Sequence, residues 1–308
     1  MTLYVILAIV LLVVIWPYWA ESRRVPARAV RDKAPGEFAE LSQGVTHYQW
    51  IGPARGPVIV AIHGLTTPSP VWYAVAAGLS RIGYRVVVYD LYGRGFSDAA
   101  PGKQDRRFFL RQLEDLLDHL GLDDELTLLG YSMGGAVATA FAAENPGRIK
   151  RLMLVASAGV VIRESRFDRF CRETPVLGDW LALALGPVRM RRALRARRDA
   201  PTEVDGIVAA QLAEIDGRGY HRAVLSSRRH MLDEVQEDEH RLLGREDVPV
   251  VAIWGARDKE IPLRALGTLA QWNRLAKSEV IEDADHALVH SHGAILAEIL
   301  RDVLREVD

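Results

Sequence analysis

"LLGYSMGGAV", residues 128–137, passes from an apolar, strand-like run through Gly130-Tyr131-Ser132-Met133-Gly134 into a helical pattern of small residues. Gly-x-Ser-x-Gly by itself is a weak signal. Between a strand and a helix it has mechanical meaning. Gly130 and Gly134 permit a tight turn that lifts a serine hydroxyl above the edge of a sheet. The amide of Met133 then points out of a helix N-terminus toward any negative charge that develops beside it. In this context Ser132 reads as a nucleophile, not as a small polar residue in a glycine-rich bend.

Outward from this turn, short apolar runs alternate with longer helical patterns. Val58–Ile62 (VIVAI), Arg85–Tyr89 (RVVVY), Leu126–Leu129, Leu152–Val155 and Val248–Trp254 are strand-like, with Ser278–Ile281 weaker and Thr46–Ile51 an early strand near an edge. Continuous apolar runs suit parallel strands buried on both faces. Pro70–Ile82, Arg107–Leu120 and Gly134–Glu144 have helical character, and the alternation indicates an α/β sheet with helices on both sides. From about Val160 to Asp247 the strand-like runs stop, and helical stretches rich in arginine and leucine take over. That interval reads as a cap inserted over one end of the sheet.

Several motifs together resemble the α/β-hydrolase family, in particular its lid-bearing esterase and lipase-like group. They are His63-Gly64-Leu65 after a strand, YDLYGRGFSD at 89–98, GYSMGG at 130–135, WGARDKEIP at 254–262 and DADHAL at 283–288. The likeness covers about residues 45–305. It implies a mostly parallel sheet with flanking helices and a helical cap. It also implies a serine nucleophile, an acid and a histidine in that chain order. HGLTT at 63–67 departs from the HGGG form of some lipases and esterases, which weakens the case for a hormone-sensitive-lipase-like branch.

A serine hydroxyl needs a base, and the base needs an orienting acid. His286 lies in a polar turn after the last strand-like segment and fits the family order, with His290 and His292 as rivals and His63 more suited to supporting the loop beside the reaction centre. Asp258 follows VVAIWG and, with Pro262, fits the family's G-x-x-D-x-x-x-P; Glu260, Asp283 and Asp285 are the alternatives. The resemblance puts the second oxyanion donor at the Leu65 amide, beside that of Met133, with the hydroxyls of Thr66 and Thr67 as additional donors or as caps of the next helix. The turn at 90–98 reads as structural, with Asp98 bracing it. The chemistry calls for no metal and no organic cofactor.

Composition sets the remaining bounds. The chain has 308 residues, 49% hydrophobic and 26% charged, and a net charge of -1, so no overall basicity points to nucleic acid. Its one cysteine, Cys171, excludes an intramolecular disulfide and a cysteine-based zinc site, and it reads as a small buried apolar residue. Leu3–Trp19 carries no charge and is followed by Arg23, Arg24, Arg28, Arg31 and Lys33. This is the pattern of a single-pass anchor with the folded body in the cytoplasm. A cleaved signal peptide is the competing reading, but no basic residue precedes the run and Tyr18 stands where a small residue is wanted.

The expected organisation is therefore an anchor at 1–20, a linker at 21–44, a hydrolase core at 45–159 and 248–308, and a cap at 160–247. Leu177, Trp180, Leu181, Leu183 and Leu185 either line the cap's pocket or pack the cap onto the core. The arginines at 189, 191, 192, 195, 197 and 198 form either a solvated helix face or a contact with anionic headgroups. The function this implies is a membrane-anchored serine hydrolase of carboxylic esters, with a lipid-like ester as small-molecule substrate. C–C bond hydrolysis, perhydrolysis and acyl transfer use the same arrangement, and a catalytically silent binding protein is the reading from another class. Dehalogenase and epoxide-hydrolase relatives usually carry Asp where this chain has Ser132.

Overall fold

The computed structural model describes residues 2–305. Met1 and residues 306–308, the outer ends of the expected anchor and core, lie outside the described residues. Helix α1 (Thr2–Ser22) leads to strands β1 (Glu37–Leu41), β2 (Gly44–Ile51) and β3 (Val58–Ile62), helix α2 (Tyr73–Arg81), β4 (Arg85–Tyr89) and α3 (Arg106–Leu120). The central strand β5 (Leu126–Tyr131) runs into α4 (Met133–Glu144), then β6 (Ile149–Val155). Five helices follow without a strand: α5 (Arg166–Glu173), α6 (Leu177–Ala196), α7 (Ile207–Asp216), α8 (Tyr220–Arg229) and α9 (Glu237–Arg245). The chain closes with β7 (Val250–Gly255), α10 (Arg264–Trp272), β8 (Lys277–Ile281), α11 (Leu288–Ser291) and α12 (Gly293–Arg305).

The strands form an eight-stranded sheet in the order β1-β2-β4-β3-β5-β6-β7-β8, parallel from β4 to β8 and antiparallel at β1, β2 and β4. VIVAI shows why its parallel strands read as unbroken apolar runs: Val60 and Ile62 enter the core layer on one face, Ile59 and Ala61 the layer on the other. Register then brings the strand ends level. Ile62 lies beside both Tyr89 and Gly130, Tyr131 beside Val155, and Gly255 beside Ile281. The loops after β3, β4, β5, β7 and β8 therefore emerge along one edge, where the open α/β sheet places its ligand crevice.

Two boundaries differ from expectation. Residues 21–44 are not all linker, because Glu37–Leu41 pairs antiparallel with β2 as the edge strand. Only Ala39 of EFAEL is buried, so a charged edge strand lacks the apolar run that marked the others. The end of α1 is also tied down: Gly219 N donates to Glu21 (2.7 Å), Arg24 donates to the Ile215 carbonyl (2.6 Å), and Val25 bridges Gly217. The second difference is α9, expected in the cap. It packs on α4 and α10, with Leu243 in the core layer, so the cap consists of α5 to α8. Helical periodicity is the same in either position; only the packing partner distinguishes them.

Candidate active site

Ser132 sits where β5 turns into α4, with φ 53° and ψ -119°, a left-handed conformation that a residue with a β-carbon adopts only under tertiary constraint. The turn is held from three sides. Ser132 N donates to Val155 O (3.0 Å), and its carbonyl accepts from Gly135 N (3.0 Å) and Ala158 N (2.9 Å). Gly130 is required by contact: a β-carbon there would stand 2.5 Å from the Gly134 carbonyl and from Gly135 Cα.

Of the histidine candidates, His286 is the one that reaches the serine. Its Nε2 lies 3.1 Å from Ser132 Oγ, and its Nδ1 lies 2.7 Å from Asp258 Oδ2. The other oxygen of Asp258 accepts from Glu260 N and Ile261 N, both at 2.8 Å, so the buried carboxylate is fixed before it meets the ring. Burial opposes charging the imidazole. The hydrogen bond to Asp258, with Glu260 and Asp285 nearby, outweighs that effect and holds the His286 pKa above its ordinary 6.5. Glu260 comes within 3.8 Å of Nε2, while Asp283 pairs with Arg257 and Asp285 with Arg197. His290 lies against Thr202 and His292 against Ser291.

Leu65 and Met133 flank the serine from the loop after β3 and the first turn of α4. Among the described residues, neither amide donates to a protein acceptor. His63 sets the first of them. Leu91 N donates to its Nε2 (2.9 Å), so the proton resides on Nδ1, which donates to the Gly64 carbonyl (2.8 Å) in the same peptide plane as the Leu65 N–H. Burial pushes the His63 pKa down to about 4, and the ring stays neutral. Thr67 is buried and Thr66 lines the cavity.

Sequence reasoning passed over two supports. Tyr131 donates its hydroxyl to the His286 carbonyl (2.6 Å), its ring 5.3 Å from the imidazole; its only sequence signal is its place before Ser132. Asp90, part of the quoted turn but not singled out, is the buried hub of that turn. It accepts from His47 Nδ1 (2.7 Å), Ser69 N (2.8 Å) and Phe96 N (3.0 Å). Asp98 does brace the turn, accepting from Val45 N (2.9 Å) and Arg31 (2.6 Å).

The serine opens into a cavity of about 860 Å³ between sheet edge and cap. From α6 the lining is Ala182, Gly186, Met190, Ala193 and Leu194, with Arg189 and Arg197 at the polar side. The four leucines and one tryptophan considered from sequence do not line it: Leu183 is buried, Leu177 and Leu185 are exposed, and Trp180 donates to the Val13 carbonyl of α1 (3.1 Å). The arginine run is divided too. Arg191 pairs with Asp216, Arg197 with Asp285, and Arg189 stacks 4.3 Å over the Phe167 ring. Cys171 is buried.

A family model for the α/β-hydrolase fold matches residues 57–183. A haloalkane dehalogenase of Mycolicibacterium paratuberculosis is 30% identical over 223 residues, covering 69% of this chain and 71% of the relative. A monoacylglycerol lipase of Xenopus laevis is 25% identical, covering 97% and 90% of the two chains. Among solved structures, a thermophilic esterase from Thermogutta terrifontis superposes with a TM-score of 0.72 at 23% identity, over 89% of this chain and 99% of its own. The chain belongs to the α/β-hydrolase family, and it carries that family's mostly parallel eight-stranded sheet.

Proposed function

We propose that this α/β hydrolase cleaves carboxylic esters through Ser132, His286 and Asp258, working at a membrane to which α1 anchors it. The observation that carries the reading is the unbroken chain Ser132 Oγ, His286 Nε2, His286 Nδ1, Asp258 Oδ2. Ser132 attacks the acyl carbonyl as His286 takes its proton, and the Leu65 and Met133 amides hold the oxyanion. His286 then protonates the departing alkoxide, leaving an acyl-enzyme. Water, deprotonated by His286, releases the acid and restores Ser132. Asp258 keeps the imidazole in the tautomer that accepts at Nε2 and stabilises its charged form.

Halide displacement of the kind the dehalogenase's name denotes is disfavoured, because a hydroxyl at this position offers no ready carboxylate nucleophile. A lipid-like acyl ester is favoured by the apolar part of the cavity and by α1. That helix has 21 residues, with a mean hydropathy of 2.4 over its most apolar 18, and spans about 31 Å at 1.5 Å per residue, the thickness of a bilayer's hydrocarbon. Trp180 meets α1 at Val13, about 14 Å from the end of the helix; Val176 just before α6 is exposed, as are Leu177, Leu185 and Val188 on it. On this reading the N-terminal half of α6 lies beside the anchor in lipid. The basic residues after α1 put the catalytic body on the cytoplasmic side; a reporter fused to the C-terminus that is active only outside would reverse this orientation.

Hydrolysis of p-nitrophenyl esters of increasing acyl length, with Ser132→Ala as control, tests the reading. Turnover that disappears in the variant is expected, with an optimum at medium or long chains. Folded protein that turns over no ester refutes it.

A further inference from the structure

Arg94 is an unusual buried cation. It is 1% exposed, and among the described residues it makes no ion pair. Its donors go instead to neutral acceptors: Nε to the Leu65 carbonyl (3.1 Å), Nη1 to the Tyr92 carbonyl (2.9 Å) and to Gln104, Nη2 to Ser227 Oγ (2.9 Å). Glu214 of α7, whose charge acts on Arg94, turns both oxygens to Gly95 N at 2.9 Å. Burial lowers the guanidinium pKa to about 10, so it remains charged at neutral pH. An unpaired buried charge is costly, and an apolar side chain of similar volume would fill the space without that cost.

Those contacts join two parts of the molecule. Leu65 lines the cavity with Ser132 and carries one of the two amides assigned above to the oxyanion. His63 pins the peptide plane before its Cα, and Arg94 pins the plane after it. Ser227 lies on the cap helix α8, whose Ser226 also accepts from Gln104 N (3.0 Å). We propose that Arg94 is a positioning residue: by holding the Leu65 carbonyl it aims the Leu65 amide, and through Ser227 it makes that aim depend on the seating of α8. The inference rests on the ester-hydrolase reading above. It adds that the cap influences the chemical step as well as substrate binding.

The test uses the full chain with Arg94→Met, Arg94→Lys and Ser227→Ala, all rates expressed per active site titrated with a fluorophosphonate. Arg94→Met is expected to lower kcat about 10- to 100-fold, the range for an oxyanion donor displaced but not removed. KM should stay within about twofold, since ground-state binding gains little from the hole. Affinity for an alkyl boronic acid, whose tetrahedral adduct occupies the hole, should fall by the same factor as kcat. Arg94→Lys keeps the charge without the fork and should fall between. Ser227→Ala leaves Arg94 in place and should lower kcat a few-fold with the melting temperature nearly unchanged, so it carries the test if Arg94→Met does not fold. Unchanged kcat per titrated site and unchanged boronate affinity, with only the titratable fraction or melting temperature reduced, would overturn the proposal. If the unaltered protein shows no Ser132-dependent ester turnover, the functional reading falls and this proposal with it. If turnover is present and the variants retain kcat, only this proposal falls.

Discussion

Gly134→Ala isolates how closely α4 and the loop after β3 must approach. The added methyl would stand 2.5 Å from the His63 carbonyl oxygen and 2.6 Å from the Ile62 carbonyl carbon, with the Ile62 oxygen closer still. Ordinary contact is about 3.5 Å, so backbone must give by about 1 Å. No flexible side chain can absorb the shift, because all three nearest atoms belong to the backbone. The backbone that must move leads directly to Gly64 and Leu65. A displacement of about 1 Å in a positioned donor costs roughly 100-fold in rate, so kcat should fall by about that factor. Stability has two opposing contributions. Overpacking costs about 1–3 kcal/mol, and replacing a helical glycine returns about 0.5–1 kcal/mol, which leaves a net loss of about 0–2.5 kcal/mol. Ester kinetics per titrated site, beside thermal melting, measure both. A variant with full kcat and an unchanged or higher melting temperature would refute the claim that this contact sets the loop.

Asp258→Asn should keep the amide bonds to residues 260 and 261 yet present an NH₂ to His286, selecting the wrong tautomer; kcat is expected to fall about 10⁴-fold with little change in melting, and a drop under tenfold would count against the orienting role. The reaction needs His286 neutral, and its pKa is raised, so kcat/KM should decline as pH falls through a value above 6.5. Glu260→Gln removes a nearby negative charge that favours the imidazolium and should move that limb to lower pH; no movement, or an upward one, contradicts the assignment. Removing residues 1–20 leaves Glu21, Arg24 and Val25 bonded to the α7–α8 turn, whereas removing 1–25 deletes five hydrogen bonds there. At about 0.5–1 kcal/mol each, the longer truncation should melt roughly 5–10 °C lower than the shorter; equal melting would mean the junction contributes nothing.

The recognisable parts of this molecule were those whose physics is local. VIVAI and RVVVY coincide with β3 and β4 to the residue, because a strand buried on both faces reads as a near-continuous apolar run, broken in β4 only at its partly exposed first residue, Arg85. GYSMGG announced its turn because a strained serine flanked by close backbone admits only small neighbours. EFAEL was missed since an edge strand buries one residue in five, and α9 was placed in the cap because an amphipathic helix does not encode what it packs against.

Residue type and spacing marked Ser132, Met133 and the apolar N-terminal run, and the family resemblance added Asp258, His286 and Leu65. What the fold adds is distance: it brings the His286 ring to Ser132 at 3.1 Å and to Asp258 at 2.7 Å. The roles of Arg94, Tyr131 and the Glu21–Val25 junction belong wholly to the tertiary structure. Arg94 and Ser227 are 133 positions apart, Tyr131 and the His286 carbonyl 155, and Glu21 and Gly219 198. No local pattern relates such residues. Their partnership exists only once the sheet has levelled its strand ends and the cap has settled across them.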